Sequence, residues 1–150
     1  MSNNPLLKVL KAGINPFTTL DLSNNPLLEE LEIYFNSLLA LDVSNNSELE
    51  NIKIDNSNLS ELDLSNNPQL NYLSFQNNDF SEVDISINTE LTHLYASGNN
   101  LSELNVSNNP NLSVLYCEYN NLTELDLFNN MQLTTLICNN NNLSQLDVSN

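Results

Sequence analysis

The 150-residue chain carries 19 acidic residues against three lysines and no arginine, a formal net charge of −16. Such a chain repels phosphate backbones and anionic bilayers, so no nucleic acid is expected among its partners. No apolar run reaches the ~18 residues of a membrane span, and no membrane insertion is expected.

Along the chain, short apolar-x-apolar triplets follow one another in two interleaved series. One starts at Leu10 and returns at Leu31, Ile52, Leu73, Leu94, Leu115 and Leu136. The other starts at Leu20 and returns at Leu41, Leu62, Val83, Leu104, Leu125 and Leu146. Every step is 21 residues, and each unit divides into halves of 10 and 11 that read L-x-x-L-x-L-x-x-N. Leu59, Leu62, Leu64 and Asn67 make one half; Leu70, Leu73, Phe75 and Asn78 make the next. Alternation across the triplet is the period of a strand. No i, i+3, i+4, i+7 stripe lasts long enough for a helix. The pattern predicts one solenoid over residues 1–150, about seven coils of 21 residues with no recognisable caps. Two parallel sheets of short strands are expected on opposite sides of a leucine core, with coils about 4.8 Å apart and little or no helix. Each coil buries its leucines only against the next, which is why the sequence repeats.

Two asparagine series accompany the triplets. Asn4, Asn25, Asn46, Asn67, Asn88, Asn109 and Asn130 form one; Asn15, Asn36, Asn78, Asn99, Asn120 and Asn141 form the other, interrupted by Ser57. Where a coil turns, backbone groups leave the strand ladder and need partners. A buried carboxamide supplies both donors and an acceptor, so stacked Asn side chains are expected to bond the turns above and below. Pro5, Pro26, Pro68 and Pro110 each follow a ladder Asn and fix the turn without needing an N–H.

The motif L-x-x-L-x-L-x-x-N, repeated over essentially the whole chain, resembles that of leucine-rich repeat proteins. Its nesting in both halves of a 21-residue unit resembles a subgroup of bacterial surface proteins that includes internalin J-like adhesins. In that subgroup a Cys often takes the third apolar position of one half. Here Cys117 and Cys138 occupy it, after Ala12, Ile33, Ile54, Phe75 and Ala96 in the earlier coils. The resemblance implies a recognition or adhesion module, extracellular or on a bacterial cell surface. It does not extend to helical caps or a wall-sorting motif.

Site chemistry is sparse. His93 is the sole histidine, with no nucleophile elbow near it, and phosphate-binding glycine loops and C-x-x-C pairs are absent. No enzyme activity and no cofactor are expected. Cys117 and Cys138 should lie in neighbouring coils with side chains projecting the same way, which favours packed thiols over a disulfide. Two thiols are too few for a zinc site.

Positions facing solvent need not repeat, so their contents are informative. The LDL halves present Asp21, Asp42, Asp63, Asp84, Asn105, Asp126 and Asp147, flanked by Glu61, Glu82, Glu103 and Glu124. Within this acidic column Asp42, Asp63 and Asp84 are candidates for weak, low-specificity cation binding rather than a dedicated metal site. All five tyrosines and the histidine fall in the other half. Tyr72, His93, Tyr95, Tyr116 and Tyr119 are the candidate binding face, because exposed aromatic residues supply contact area at small entropic cost. The expected partner is a protein or a carbohydrate. A second reading is a structural scaffold, an excised or designed array without a dedicated ligand. Uncapped coils expose strand edges, so end-to-end self-association is expected as salt screens the net charge.

Overall fold

The computed structural model describes residues 4–149. It is a stack of coils around one sheet of seven short parallel strands. In chain order they are β1 (Val9–Lys11), β2 (Glu30–Glu32), β3 (Asn51–Lys53), β4 (Tyr72–Ser74), β5 (His93–Tyr95), β6 (Val114–Tyr116) and β7 (Thr135–Ile137). Each strand pairs only with its sequence neighbours, in a register offset by one repeat: Val9 faces Glu30, Leu73 faces Leu94 and Tyr95 faces Tyr116. The repeat length in sequence is thus also the register of the sheet. No helix occurs among the described residues.

The solenoid and its parallel sheet match the sequence expectation; the second sheet does not form. Among the described residues the LDL halves contain no strand. Their backbone runs instead into two consecutive turns, as in Asn46 N–H to Val43 C=O (3.0 Å) and Leu49 N–H to Asn46 C=O (3.1 Å). Before them, the Asp of each triplet accepts the N–H of the residue two positions on, Asp63 from Ser65 and Asp84 from Ser86, both at 2.9 Å. A side chain that binds its own backbone offers that backbone an alternative to a ladder. The LDL arc bends where the other half stays extended.

The core is a single cluster fed by both halves, with Leu31, Ile52, Leu73, Leu94 and Leu115 from the strands and Leu22, Val43, Leu64, Ile85 and Val106 from the arcs. The fourth coil is fuller than the rest. Phe75 and Phe80 pack with ring centroids 4.8 Å apart, and the next coil carries the small Ala96 where the fourth has Phe75. At this one step a small residue beside a large one makes room for the ring.

The two asparagine ladders differ in how they bond. In the first, both amide protons point to the preceding coil: Asn67 Nδ2 donates to Asn46 O (2.8 Å) and Val43 O (3.2 Å), and Asn109 repeats this on Asn88 and Ile85. The second ladder ties three segments together. Asn99 Nδ2 donates to Phe75 O and Ala96 O, both at 3.1 Å, while its Oδ1 accepts the N–H of Phe80 (3.2 Å) from the facing arc. Asn78, Asn120 and Asn141 make the same three-way connection. At Ser57 the connection is missing: the shorter side chain is buried, and its hydroxyl has no partner among the described residues.

Ser57→Asn is expected to restore it, with Nδ2 reaching Ile33 O and Ile54 O and Oδ1 accepting from Leu38 N–H. Each net hydrogen bond is worth about 1 kcal/mol, so urea unfolding should shift to a higher midpoint by about that free energy. A lower midpoint would show that the site has closed around serine.

Candidate functional site

Along each strand the middle residue points into the core and its two neighbours point out, so the sheet displays two parallel columns. One column is Val9, Glu30, Asn51, Tyr72, His93, Val114 and Thr135; the other is Lys11, Glu32, Lys53, Ser74, Tyr95, Tyr116 and Ile137. In-register stacking sorts these side chains into zones that no local stretch of sequence shows. The first three strands are charged and internally paired. Lys11 Nζ lies 2.7 Å from Glu30 Oε1 and 3.1 Å from Glu32 Oε1, and Lys8 Nζ lies 2.5 Å from Glu29 Oε1. Lys53 Nζ stands 4.9 Å from the ring centroid of Tyr34. That ring lies flat across Gly13, where an added Cβ would come within 2.8 Å of it.

The aromatic zone follows. Tyr72 stacks on His93 (centroids 6.0 Å, 27°) and leans diagonally onto Tyr95 (5.3 Å). Tyr95 meets Tyr116 edge to face at 4.9 Å and 68°. The diagonal lean has a local cause. Ser74, the strand neighbour of Tyr95, is small and buried, and its hydroxyl donates to Asp55 Oδ1 at 2.6 Å. Asp55 also accepts Gln76 N–H at 2.8 Å, so its buried carboxylate is held by two donors. Burial, and then the neighbouring tyrosine, raises the Tyr72 and Tyr95 hydroxyls above the ordinary value, keeping both neutral donors. Thr92 Oγ1 donates its proton to Asn71 O (3.0 Å) and lies 2.9 Å from His93 Nδ1.

The structure therefore brings Tyr72, His93, Tyr95 and Tyr116 into one contiguous cluster. Tyr119 stands apart: no ring contact joins it to the other four among the described residues. It occupies the turn after β6 with φ 56° and is 63 % exposed. Every coil makes this left-handed turn. Asn56, Asn77, Gly98 and Asn140 fill it in four coils, residue types that tolerate φ near 55°. Ile14, Phe35 and Tyr119 fill it in the others at 73 %, 57 % and 63 % exposure. A bulky residue there costs roughly 1–2 kcal/mol; Phe35 meets the edge of Tyr34 (centroids 6.2 Å), whereas no ring contact joins Tyr119 among the described residues. The signal was present in the sequence as a column of Asn and Gly broken by three apolar residues, visible once the coils are aligned.

On the opposite side, the acidic column has a structural task that its spacing only hinted at. Asp21, Asp42, Asp63, Asp84, Asn105, Asp126 and Asp147 each accept the N–H two residues on, at 2.9–3.0 Å. The serine hydroxyl, and then its N–H, holds the carboxyls of Asp21, Asp42, Asp63, Asp84 and Asp147 below the ordinary value. The recurring D-x-S was the legible sign of this turn. Among the described residues no group of three or more His, Cys, Asp or Glu side chains is placed to hold a metal ion. Cys117 and Cys138 are free thiols in adjacent coils. Burial, then Cys138 and Glu118, pushes the Cys117 thiol up to about 12, where it is inert as a nucleophile at neutral pH.

A Leucine Rich Repeat family model matches residues 16–38. Among solved structures, the functional domain of InlJ from Listeria monocytogenes, which includes a cysteine ladder, is 38% identical over 95% of this chain with a TM-score of 0.73. The internalin InlF from the same organism is 25% identical over 96% of the chain, TM-score 0.90. YopM from Yersinia enterocolitica is 28% identical over 94%, TM-score 0.80. The chain spans 36%, 45% and 30% of the lengths of these three. No curated protein matches the chain.

Because the aspartate carboxyls are depressed in the fold, the stability they add is complete above the ordinary value of 3.8 and is lost as pH falls through their folded values. The melting temperature should therefore drop on acidification below about pH 4. Asp63→Asn combined with Asp84→Asn should flatten that drop while keeping the turns, as Asn105 already does. Asp63→Ala should lower the melting temperature at neutral pH, where the Asn change does not. Melts by circular dichroism from pH 7 to pH 2 distinguish the three.

Proposed function

The chain is a leucine-rich repeat protein whose 21-residue units nest two half-repeats, and from that premise we propose a non-enzymatic recognition module that binds a protein partner through the aromatic zone of its sheet. Leucine-rich repeat proteins are generally binding scaffolds, and the fold commonly serves protein interaction. The observation that carries the reading is the cluster of Tyr72, His93, Tyr95 and Tyr116 on a face that the solenoid does not use for its own packing. The Asp side chains of the other side are tied into turns; these rings hold no turn together. A few aromatic anchors with polar tips typically carry most of the energy of an interface. The rings lie side by side on an outward sheet face, which suits a protein surface better than a small molecule that needs enclosure. The resemblance of the repeat to those of bacterial surface adhesins supports an adhesive role at a bacterial cell surface.

Screening the protein against panels of cell-surface proteins and glycans should identify the partner class, with glycan hits alone counting against a protein partner. For any hit, Tyr95→Ala and Tyr116→Ala should each weaken binding by at least ~1 kcal/mol without lowering the melting temperature appreciably. Asp63→Asn and Asp84→Asn should change it far less. Calorimetry showing the reverse ranking would place the interface on the arc side and overturn the proposal.

A further inference from the structure

We infer that the edge of the sheet at the sixth coil, formed by Glu118 and Tyr119, is a docking point for a lysine or arginine side chain of a protein partner. This rests on the reading of the sheet as a recognition face and adds the chemistry of what meets its edge.

The repeat supplies an internal comparison. Glu118 and Tyr119 stand where Tyr34 and Phe35 stand four coils earlier. In the second and third coils a side chain 19 positions further on reaches back over the first of the two. Lys53 places its ammonium 4.9 Å from the Tyr34 ring centroid, and Ser74 donates to Asp55 along the same diagonal. The residue 19 positions beyond Glu118 is Ile137, which has nothing to donate. Glu118 Oε2 is buried and has no hydrogen-bond partner among the described residues. The second and third coils thus hold a cation against an aromatic ring, while the sixth has a carboxylate with an unpartnered oxygen, next in sequence to an exposed tyrosine, and no cation.

The rest of the chain does not provide one. Its three basic side chains are Lys8, Lys11 and Lys53, all in the first three coils and all engaged with Glu29, Glu30, Glu32 or Tyr34. Tyr119 is also one of three bulky residues that the turn does not explain. It holds a left-handed conformation that Asn or Gly fills in four other coils, and it is 63 % exposed. Strain at an exposed side chain that packs on no other ring points to a use outside the solenoid. A carboxylate and a tyrosine face together select a cation, through ion pairing and the ring quadrupole. The net charge of −16 draws such a partner toward the surface.

The test uses the full chain and two probes, a Gly-Lys-Gly-Lys-Gly peptide and the same peptide acetylated on both lysines, titrated at physiological salt and followed by NMR. The lysine peptide should shift the Tyr119 signals, with an affinity at least about threefold above that of the acetylated peptide. Glu118→Gln should weaken it by about threefold or more. Ile137→Lys, which puts an ammonium where Lys53 stands relative to Tyr34, should occupy the site from within and suppress the shift. Tyr119→Asn should weaken the peptide yet raise the melting temperature. Equal shifts from the two peptides, or a lysine-peptide affinity unchanged by Glu118→Gln and Ile137→Lys, overturn the inference. Equal shifts centred on Tyr95 and Tyr116 would do so while leaving the aromatic-face reading intact. Lysine-selective binding at Tyr119, together with a partner indifferent to Tyr95→Ala and Tyr116→Ala, would keep this inference and remove that reading.

Discussion

Only three of the 21 residues in each coil lie in a strand, so most backbone polar groups must find partners in the coils on either side or in side chains. That requirement shapes everything else in the molecule. Where the chain is extended, in-register parallel pairing meets it, and the register is the repeat length itself. Where the chain turns, carboxamides meet it: one ladder clamps each turn to the preceding coil, and the other joins sheet, preceding coil and facing arc. In the arcs, aspartate meets it within its own coil. The leucines provide the driving force for stacking, but this bonding sets the spacing at which they stack.

The same requirement divides the surface into two kinds of side chain. Carboxylates on the arc side look free when read as a column of charge, yet nearly all of their regularity comes from the turn they close. Their repulsion along the column is a cost of that solution. On the sheet side the strands pair through their own backbone, so most outward positions, Ser74 excepted, are released from structural duty. Charged residues fill the first three strands and aromatic ones the next three. Evolution of one end of the face does not disturb the other, because each coil touches only its neighbours.

Deviations from the repeat are then the informative residues. Ser57 leaves a three-way connection unmade, and Gly13 clears space for a ring that receives a lysine. Ile14, Phe35 and Tyr119 each keep a bulky exposed side chain in a conformation suited to Asn or Gly. None of these is explained by stacking, since other coils stack without them.

Sequence periodicity determined the solenoid, its parallel register, both ladders and the residues of the core, because a chain whose neighbours are its own copies repeats whatever burial and turn bonding require. Leu73 above Leu94 and Asn78 above Asn99 follow from counting. The sequence also held the candidate face as a set of residues in one half-repeat. What counting could not supply was conformation. Alternation in L-D-L (62–64) and in L-S-F (73–75) is the same pattern, yet only the second overlaps a strand; in the first the Asp side chain competes for the backbone N–H that a ladder would use. Nor could it show that Tyr72 would lean over Ser74 onto Tyr95, that Tyr119 would turn away from the cluster, or that Lys53 would reach back to Tyr34. Those are diagonal contacts between coils. They depend on side-chain size and on the sign of φ at one turn, which only the folded stack decides.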